Sequence, residues 1–589
     1  MFFIITKAHA SEFSFPILAQ SMMHSLWLDM SMAGYFTLFY CLMFLGGLAS
    51  PVVFRKIFTV FHWLVLTICT LAIISNAVLY SFWSGPLDYS AIKFLKTPKE
   101  ALASVNWLLM IIPIMMGIGL FLLFRFVFIK WNFIRFDKAE HNIKTYMIQI
   151  PALLLMAGIC IIPIRGGFGI VPVNLSFVYF HKEAYPNHAA YNPVWNVLYS
   201  WANSGDENNY AFMDDSNAVK IFEGLHKLNK TGLEGEMWIP GTHHNIVVIV
   251  MESFLYKLVD LEYNGEEVTP NFNKLTKSGI YFNNLYATGD RSDKGLLAVF
   301  SGYPAMPKSS MAQFPEKFQK LPSIFKAMNN AGYGTAFYYG GNLDFANLRS
   351  YFLSAGAGKI VSGDDLPKSY KSGKWGVHDE YMFDEFIKGI SYMKQPFFTG
   401  LFTLSNHEPF DIPNQYHFGK SNGDEEYMSA AYYSDQCIGK FVEKLKSSRI
   451  WENTLVVFVS DHGVARLGIN EIYNPEKFHI PMVWTGGVIK TPKTITKVCS
   501  QTDIPLLMLN QCCIKPDTAY RYSKEVDQHG SREFAPYFYN DGVGFVTPGC
   551  ISIYDNISGK FESKFCQNDT IGMYAKSYLQ VISKNINKR

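Results

Sequence analysis

Four long apolar stretches lie within the first 165 residues, and the rest of the chain is far less apolar. They cover residues 33–49, 58–83, 107–129 and 146–164, and each is long enough to cross a bilayer, the first only just. Trp and Tyr residues stand at several of their ends, as they do in many transmembrane helices. The sequence therefore predicts a transmembrane domain over residues 1–165 with four clear spans.

Lysine and arginine in the short loops predict how these spans are oriented, because loops rich in them stay in the cytoplasm. The loops after the first and third spans hold Arg55, Lys56, Lys130, Arg135, Lys138 and Lys144. The loop after the second span mixes Lys93, Lys96 and Lys99 with Asp88 and Glu100, which weakens the contrast. Everything after Arg165 is therefore predicted to lie outside the cytoplasm.

Three other segments near the membrane have their own patterns. Residues 13–32 are predicted to form an amphipathic segment at the membrane interface, and residues 1–5 look like the stub of a further span. No cleavable signal peptide is evident. Residues 166–242 form a polar connector, in which a helix over residues 194–203 could lie along the membrane.

Two short apolar runs in the outer part end on residues that bind metals. Asn245–Met251 is followed by Glu252, and Thr454–Ser460 is followed by Asp461 and His462. Such β-branched runs are typical of strands buried on both faces of a parallel sheet, which binds ligands beyond its strand C-termini. Two carboxylates and an imidazole suit Zn²⁺ or Mn²⁺ with an open position for a substrate. The alternative is that these residues only cap helices and form turns.

A serine lies in a polar turn between the two runs. The turn Gly289-Asp-Arg-Ser-Asp-Lys-Gly295 leads into a helical pattern, so Ser292 is predicted near a helix N-terminus. Free N–H groups and the helix dipole there favour an anionic phosphate and an incipient alkoxide. A serine hydroxyl becomes a useful nucleophile once a metal or base lowers its pKa. By itself, Ser292 could equally be an ordinary N-cap.

In combination, these motifs resemble the alkaline phosphatase/sulfatase superfamily, and within it the lipoteichoic acid synthase group of membrane-bound phosphoglycerol transferases. The resemblance covers almost the whole chain. It rests on Glu252 in Val-Met-Glu-Ser, Ser292 in Asp-Arg-Ser-Asp-Lys-Gly, His407 in Ser-Asn-His-Glu-Pro-Phe, and Asp461 and His462 in Ser-Asp-His-Gly. It implies that Glu252, Ser292, Asp461 and His462 bind one divalent metal, usually Mn²⁺, with Zn²⁺ or Mg²⁺ as alternatives. It also implies that Ser292 forms a covalent intermediate and that His407 binds the phosphate or assists the leaving group.

The chain departs from the family pattern in three places. The family nucleophile is usually threonine, and here it is Ser292. The His, Trp and Arg that hold glycerol have no clean match, since Tyr339 and Ala346 stand near the first two; Asp344, Asn347 and Arg349 could form a different polar pocket. No Cys/Ser-x-Pro-x-Arg motif surrounds Ser292, which argues against a formylglycine sulfatase.

Two more residues have both a functional and a structural interpretation. Asp379 resembles an acidic position of the family and could orient the substrate pocket, or cap the helix that follows. His479 matches a position where some superfamily members place a phosphate-binding or second-metal histidine, and could equally be structural.

Alternating strand and helix patterns predict an α/β domain over residues 243–511, a mostly parallel sheet with helices on both faces. Its strands are predicted at 245–251, 335–339, 397–404, 454–460 and 481–485, with a helix over 429–446. Residues 512–589 are predicted to form a small β-rich subdomain, with strands at 543–547 and 550–554. Disulfides are permitted outside the cytoplasm, and Cys550 and Cys566 could form one.

With the predicted spans, the resemblance implies a membrane-bound transferase that moves a phosphoglycerol-type headgroup from phosphatidylglycerol to a glycan, polymer or lipid acceptor outside a bacterial inner membrane. The net charge of +3 indicates no nucleic-acid partner. The alternatives are a phosphoethanolamine transferase, a phosphodiesterase or sulfatase on the same scaffold, and an inactive envelope scaffold.

Overall fold

The computed structural model describes residues 14–83, 85–89, 107–131, 143–203, 210–228, 235–562, 565–566 and 568–588, together with Phe2 and Thr6. The chain divides into two compact units, Met1–Asp206 and Glu207–Arg589. The boundary falls inside the predicted connector, so residues up to 203 fold with the first unit and residues from 210 with the second. The predicted boundary between residues 511 and 512 stays a prediction.

The first unit is helical. Its helices are α1 (Phe15–Ala49), α2 (Pro51–Trp83), α3 (Trp107–Trp131), α4 (Ile143–Arg165), α5 (Ala184–Ala189) and α6 (Pro193–Asn203). Three helical stretches are long and apolar enough to cross a membrane, namely Phe15–Ala49, Pro51–Tyr80 and Tyr146–Arg165. The apolar stretch described within α3, Ile114–Val127, is shorter. Within the described residues, three of the four predicted spans therefore meet the length expected of a transmembrane helix.

Helix α1 corrects one prediction. The interfacial segment over residues 13–32 and the first span were predicted to be separate, which is wrong because both lie on one helix that begins at Phe15. No Pro or Gly interrupts residues 17–33, so nothing in the sequence ends the helix there. The predicted stub at residues 1–5, apart from Phe2, and the basic loop at 132–142 lie outside the described residues.

The second unit alternates strands and helices. Its helices are α7 (Asp215–His226), α8 (Pro270–Ser278), α9 (Ser292–Ser301), α10 (Pro315–Phe318), α11 (Ile324–Asn330), α12 (Leu348–Ser354), α13 (Asp379–Ser391), α14 (Gly423–Lys446), α15 (Pro475–Phe478), α16 (Ile504–Gln511) and α17 (Asp569–Lys588). Its strands are β1 (Asn245–Met251), β2 (Glu262–Tyr263), β3 (Glu266–Glu267), β4 (Ile280–Tyr286), β5 (Gly334–Tyr339), β6 (Lys359–Ser362), β7 (Phe397–Phe402), β8 (Thr454–Ser460), β9 (His479–Thr485), β10 (Lys493–Ile495), β11 (Cys499–Ser500), β12 (Ala535–Tyr539), β13 (Gly542–Thr547), β14 (Cys550–Asp555) and β15 (Lys560–Phe561).

The main sheet has the order β10-β4-β9-β8-β1-β7-β5-β6, with β11 also paired to β4. All pairings in it are parallel except those of β9, which runs antiparallel to both β8 and β4. Every residue of β1 and β8 is buried. Successive residues of β1 point to opposite faces of the sheet, so Val248 and Ile249 lie in separate apolar clusters. The predicted α/β fold with a mostly parallel, two-sided sheet is confirmed.

The C-terminal part contains the predicted small β-rich element. Strands β12 to β15 form an antiparallel sheet, and α17 packs against α7, where Ser577 Oγ donates to the carbonyl of Ala218 at 2.7 Å. Cys550 and Cys566, a pairing that the sequence left open, form a disulfide at the start of β14. This sheet shares an apolar cluster with the main domain, which makes both part of one unit.

A buried ion pair joins the segment after β11 to the C-terminal part. Lys524 Nζ donates to Asp503 Oδ2 at 2.6 Å and to the carbonyl of Phe534 at 2.7 Å. We expect Lys524→Met to lower the free energy of unfolding by about 3–5 kcal/mol, because it leaves a buried carboxylate without its cation. Chemical denaturation of the full chain measures this change.

The exposed pair of Lys444 with Asp384 provides the control. Lys444→Met should change the free energy of unfolding by no more than about 1 kcal/mol, since exposed ion pairs contribute little. Equal effects of the two substitutions would contradict the assignment of Lys524 as a structural cation.

Candidate active site and metal centre

The register of two neighbouring strands brings the predicted metal ligands together. β1 and β8 are parallel, and their last residues, Met251 and Ser460, are paired. Glu252 and Asp461 are the next residues of the two strands, so they emerge side by side at the same sheet edge. Both carboxylates are almost completely buried. A local rule, that parallel strands end at a common edge, thus builds half of the site.

His462 completes a cluster of three ligands. Its Nε2 lies 3.3 Å from Asp461 Oδ2 and 3.8 Å from Glu252 Oε1. Its Nδ1 lies 2.9 Å from the carbonyl of Gly463, which can only accept, so that nitrogen carries the proton. In a neutral ring, the Nε2 lone pair would then face the two carboxylates. Three electron-pair donors thus point at one place.

A divalent cation fits this arrangement. The ligand atoms of Glu252, Asp461 and His462 all lie within 4.8 Å of one another. Asp461 Oδ1 accepts from the backbone N–H groups of Ser253 and His462 at 2.8 Å, whereas buried Oδ2 has no hydrogen-bond partner among the described residues. A buried carboxylate oxygen without a partner is costly unless a cation meets it. These residues therefore suit a divalent metal, and they do not identify which one.

The buried carboxylates of Glu252 and Asp461 repel each other. Burial and the neighbouring charge of Asp461 raise the pKa of Glu252 to about 8. Burial opposes protonation of His462, but the charges of Asp461 and Glu252 outweigh it and raise the pKa of His462. Protons therefore compete with a metal for these groups.

This competition makes metal binding depend on pH. Both folded-state pKa values are raised, so metal-free folding loses the stability contributed by Glu252 as the pH rises from about 4.5 to about 8, and that contributed by His462 as the pH rises above about 6.5. Metal affinity rises with pH, because fewer protons then compete for the ligands. We expect an increase of about tenfold or more per pH unit between pH 6 and 8. Titrations of the full chain at buffered free Mn²⁺ measure this. An affinity independent of pH would contradict the protonated metal-free cluster.

Ser292 faces the ligand cluster, as predicted. It is the first residue of α9, and its Oγ donates to Glu252 Oε2 at 3.3 Å and lies 3.3 Å from His462 Nε2. The first turn of α9 packs directly on the backbone of Asp461. A Cβ at Gly295 would lie only 2.1 Å from the Asp461 carbonyl oxygen, so a side chain at this position would clash. Gly295 thus permits the approach that brings the hydroxyl to the cluster.

A buried glutamine connects the turn before Ser292 to the residues of the candidate ligand cluster. Gln501 Nε2 donates to the carbonyls of Ser460 and Asp461 at 2.9 and 2.7 Å. Its Oε1 accepts from the N–H of Thr288, four residues before Ser292, at 3.4 Å. The sequence does not indicate this role of Gln501, because no local pattern shows contacts with residues 40 and 213 positions away.

His407 lies on a loop that is attached to the same edge. The preceding residue, Asn406, donates to the carbonyls of Glu252 and Ser253 at 3.1 and 3.3 Å. The His407 ring lies 4.7 Å from the ring of Trp375, whose Nε1 donates to the carbonyl of Glu408 at 2.9 Å. Asn406 and Trp375 were not singled out from the sequence, although Asn406 belongs to the quoted motif.

Asp379 holds this loop from the other side. Its carboxylate accepts from the N–H groups of Leu404 and Ser405 at 2.7 and 3.2 Å, and from Ser434 Oγ at 3.1 Å. It is the first residue of α13, and His378 takes the N-cap position. These contacts are those of a residue that positions the His407 loop. Burial raises the pKa of Asp379.

The end of β5 and the segment after it carry the other predicted pocket residues. Tyr339 is buried, and burial together with the charges of Glu252, Asp461 and Asp379 raises its pKa. Arg349 Nε donates to Asp344 Oδ1 at 2.7 Å, whereas the amide of Asn347 donates to the carbonyl of Ala312 at 3.0 Å. Phe345 stacks edge-on against Trp375 at 5.5 Å, which connects this segment to His407.

His479 lies in an aromatic sandwich. Its ring stacks 3.8 Å from Tyr256 and 4.9 Å from Tyr286, and its Nε2 lies 2.9 Å from the carbonyl of Asn283. Burial lowers its pKa to about 4, so the ring is neutral near pH 7. These contacts are those of a packed side chain, and the metal cluster found among the described residues does not include it.

Comparisons with known proteins agree with this geometry. Residues 244–510 match the model of the sulfatase family. Lipoteichoic acid synthase 2 of Bacillus subtilis is 25% identical over 402 residues, which cover 64% of this chain and 59% of that protein. The chain spans less than two thirds of the length of the curated relatives it matches.

Solved structures share the fold of the second unit. An alkaline phosphatase superfamily protein from Vibrio parahaemolyticus is 25% identical with a TM-score of 0.56, covering 65% of this chain and 98% of that one. The lipoteichoic acid synthase LtaP from Listeria monocytogenes is 19% identical with a TM-score of 0.52, covering 64% and 98%. The predicted resemblance to this superfamily and to the lipoteichoic acid synthases is confirmed, which supports a transferase or hydrolase on this scaffold.

Proposed function

We propose that this chain, which carries a sulfatase-family domain, is a membrane-bound, metal-dependent transferase. It moves a phosphoglycerol-type headgroup from a phospholipid to an extracytoplasmic acceptor through a covalent Ser292 intermediate. The observation that carries the proposal is the position of Ser292 Oγ, 3.3 Å from both Glu252 Oε2 and His462 Nε2 at the edge of the sheet.

Glu252, Asp461, His462 and the Ser292 hydroxyl would hold one divalent metal, with Mn²⁺ as the proposed ion. When bound, it supplies the positive charge that lowers the pKa of the serine hydroxyl and stabilises charge on the phosphoryl oxygens. Glu252 accepts the hydrogen bond of Ser292 and therefore orients the hydroxyl. The hydrogen bond from Nδ1 of His462 to Gly463 keeps Nε2 directed at the same point.

The reaction has two displacements at phosphorus. In the first, Ser292 Oγ gives up its proton and bonds to phosphorus, the bond from phosphorus to the diacylglycerol oxygen breaks, and that oxygen receives a proton. In the second, an acceptor hydroxyl gives up its proton and bonds to phosphorus, the bond to Ser292 Oγ breaks, and Ser292 Oγ takes a proton back. His407, on its loop beside Glu252, is proposed to bind the phosphate or assist the leaving group.

The donor headgroup is proposed to lie between the His407 loop and the segment after β5. The chain of contacts from His407 through Trp375 to Phe345 connects the two. Ala346 and Asn347 both have positive φ, at 51° and 58°, a strained backbone of the kind that often marks ligand sites. The ion pair of Asp344 with Arg349 supplies polar groups for a glycerol or an amine.

The membrane topology is also a proposal, and three observations support it. α1 and α2 form an antiparallel hairpin, in which Tyr40 OH lies 3.0 Å from His62 Nδ1. The turn of the hairpin, next to Arg55, is therefore at the opposite end from Phe15, where α1 begins. α4 runs antiparallel to α1, so the chain leaves it at the end opposite the basic loops. The Cys550–Cys566 disulfide suits an oxidising compartment. The catalytic unit is therefore proposed to lie outside a bacterial inner membrane, beside its lipid donor.

The test identifies the donor and the nucleophile together. The full chain in nanodiscs with Mn²⁺ receives headgroup-labelled phosphatidylglycerol or phosphatidylethanolamine, and peptide mass mapping locates the adduct. We expect phosphoglycerol on Ser292, also in a Ser301→Ala control on the same helix. Phosphoethanolamine on Ser292 would retain the mechanism and replace the donor. No adduct and no lipid turnover in metal-loaded protein would contradict the proposal.

A further inference from the structure

A helix and a turn beside the spans expose aromatic and apolar side chains at one level. The turn after α4 exposes Phe168, which is 88% accessible, and Ile170. Helix α6 exposes Leu198 and Trp201, three residues apart and so on one face of the helix. These four residues are called the apolar belt below.

The depth of the belt follows from contacts within the first unit. α1 and α4 run antiparallel, with Ser31 Oγ donating to the carbonyl of Ile164 and Tyr146 OH donating to the carbonyl of Leu48. The helix rise puts these two contacts about 26 Å apart, which is close to the roughly 30 Å of a hydrocarbon core. Ile164, beside Ser31, therefore marks the boundary at which α4 ends.

Both parts of the belt lie at this boundary. The turn begins at Arg165, directly after Ile164, and Arg165 donates to the carbonyls of Gly167, Gly169 and Ile170. These bonds satisfy the turn's own backbone while Phe168 stays exposed. Near its start, α6 carries Trp195, whose Nε1 donates to Ser31 Oγ at 3.2 Å.

The other end of α6 reaches the region that follows α2. Ser200 Oγ accepts from the N–H of Tyr89 at 2.8 Å, and Asn196 Nδ2 donates to the carbonyl of Leu87 at 2.8 Å. α6 therefore extends from Ser31 on α1 to the segment after α2. Its inner face carries buried Trp195 and Asn196, and its outer face carries Leu198 and Trp201.

We propose that the apolar belt inserts into the boundary between lipid headgroups and acyl chains, so that α6 and the turn at 165–170 form a membrane-interface contact. The occupant is the lipid bilayer, because the belt continues the exposed apolar surface of α4 at the depth where that helix ends. The inference rests on the proposal that the first unit spans a membrane.

Site-directed spin labelling of the full chain in nanodiscs tests this proposal. Exposed Cys513 is first replaced by serine, and single labels are placed through Phe168→Cys, Ile170→Cys and Trp201→Cys. Leu64→Cys, exposed in the middle of α2, is the lipid reference, and Lys182→Cys, exposed on the connector, is the water reference. Collisions with oxygen and with a water-soluble nickel chelate report depth.

We expect the belt positions to lose nickel accessibility relative to position 182 and to approach the oxygen accessibility of position 64. Nickel accessibility equal to that of position 182 would overturn the proposal. Exclusion of both reagents would also overturn it, because protein would then cover the belt. A water-like signal at position 64 would refute membrane spanning itself, which separates that failure from failure of the belt.

Discussion

A chain carrying Ser292→Ala is expected to lose turnover of its lipid donor by about 10³-fold or more and to form no covalent adduct. The hydroxyl is the group on α9 that faces Glu252 and His462. Arg291 is the N-cap of that helix, so removal of the hydroxyl should change the free energy of unfolding by only about 0.5 kcal/mol. Steady-state turnover and intact mass measure the effect.

Ser292→Thr is the matched control. It keeps the hydroxyl and introduces threonine, the usual residue in the lipoteichoic acid synthase group that this chain resembles. Activity should therefore stay within about tenfold of the original. An Ala variant that still forms the adduct would remove Ser292 from the nucleophile role. Loss of activity in both variants, with the fold intact, would show that the site depends on side-chain volume at residue 292 instead.

Asp461→Asn is expected to abolish the stabilisation that Mn²⁺ confers. At a free metal concentration about 1,000-fold above the dissociation constant, binding stabilises the folded chain by about 4 kcal/mol. The asparagine oxygen can still accept from Ser253 and His462, whereas a neutral amide replaces the oxygen that lacks a partner. Without metal, the variant should therefore be at least as stable as the original at pH 8, because repulsion with Glu252 disappears.

The Asp435→Asn variant shows whether the loss of the metal response is specific to the ligand cluster or follows from removing any buried carboxylate. Asp435 accepts from the N–H groups of Asn271 and Phe272 at the start of α8, away from the ligand cluster. We expect this variant to lose about 1–2 kcal/mol of stability and to keep the whole metal response. Thermal unfolding with and without Mn²⁺ distinguishes the two variants. An unchanged metal response in Asp461→Asn would refute the metal site.

Several strands could be predicted because their own residues show the apolar pattern of a buried strand. β1 and β8 have the predicted bounds, since an unbroken apolar run bounded by polar residues marks a fully buried strand. β4, β6 and β10 were missed, because short strands or strands with mixed burial, such as Asn283 and Asn284 within β4, lack that pattern. The antiparallel direction of β9 also has no local signal.

The ligand cluster could be predicted for a related reason. Parallel strands end at one edge, so acids that directly follow two such strands become neighbours once the strands pair. The pocket around His407 could not be predicted in the same way. Trp375 and Asp379 reach that loop through tertiary packing, and sequence spacing does not encode which loop a side chain will meet.

The sequence by itself determined that apolar helices precede an α/β domain and that Glu252, Asp461, His462 and Ser292 belong to one site. Local patterns suffice for this, because burial and strand ends are properties of short segments. Only the tertiary structure decided that Gln501 connects the candidate ligand cluster to the turn before Ser292 and that His479 packs between two tyrosines. Such contacts depend on how distant segments pack, and the free energy that selects them belongs to the whole folded chain.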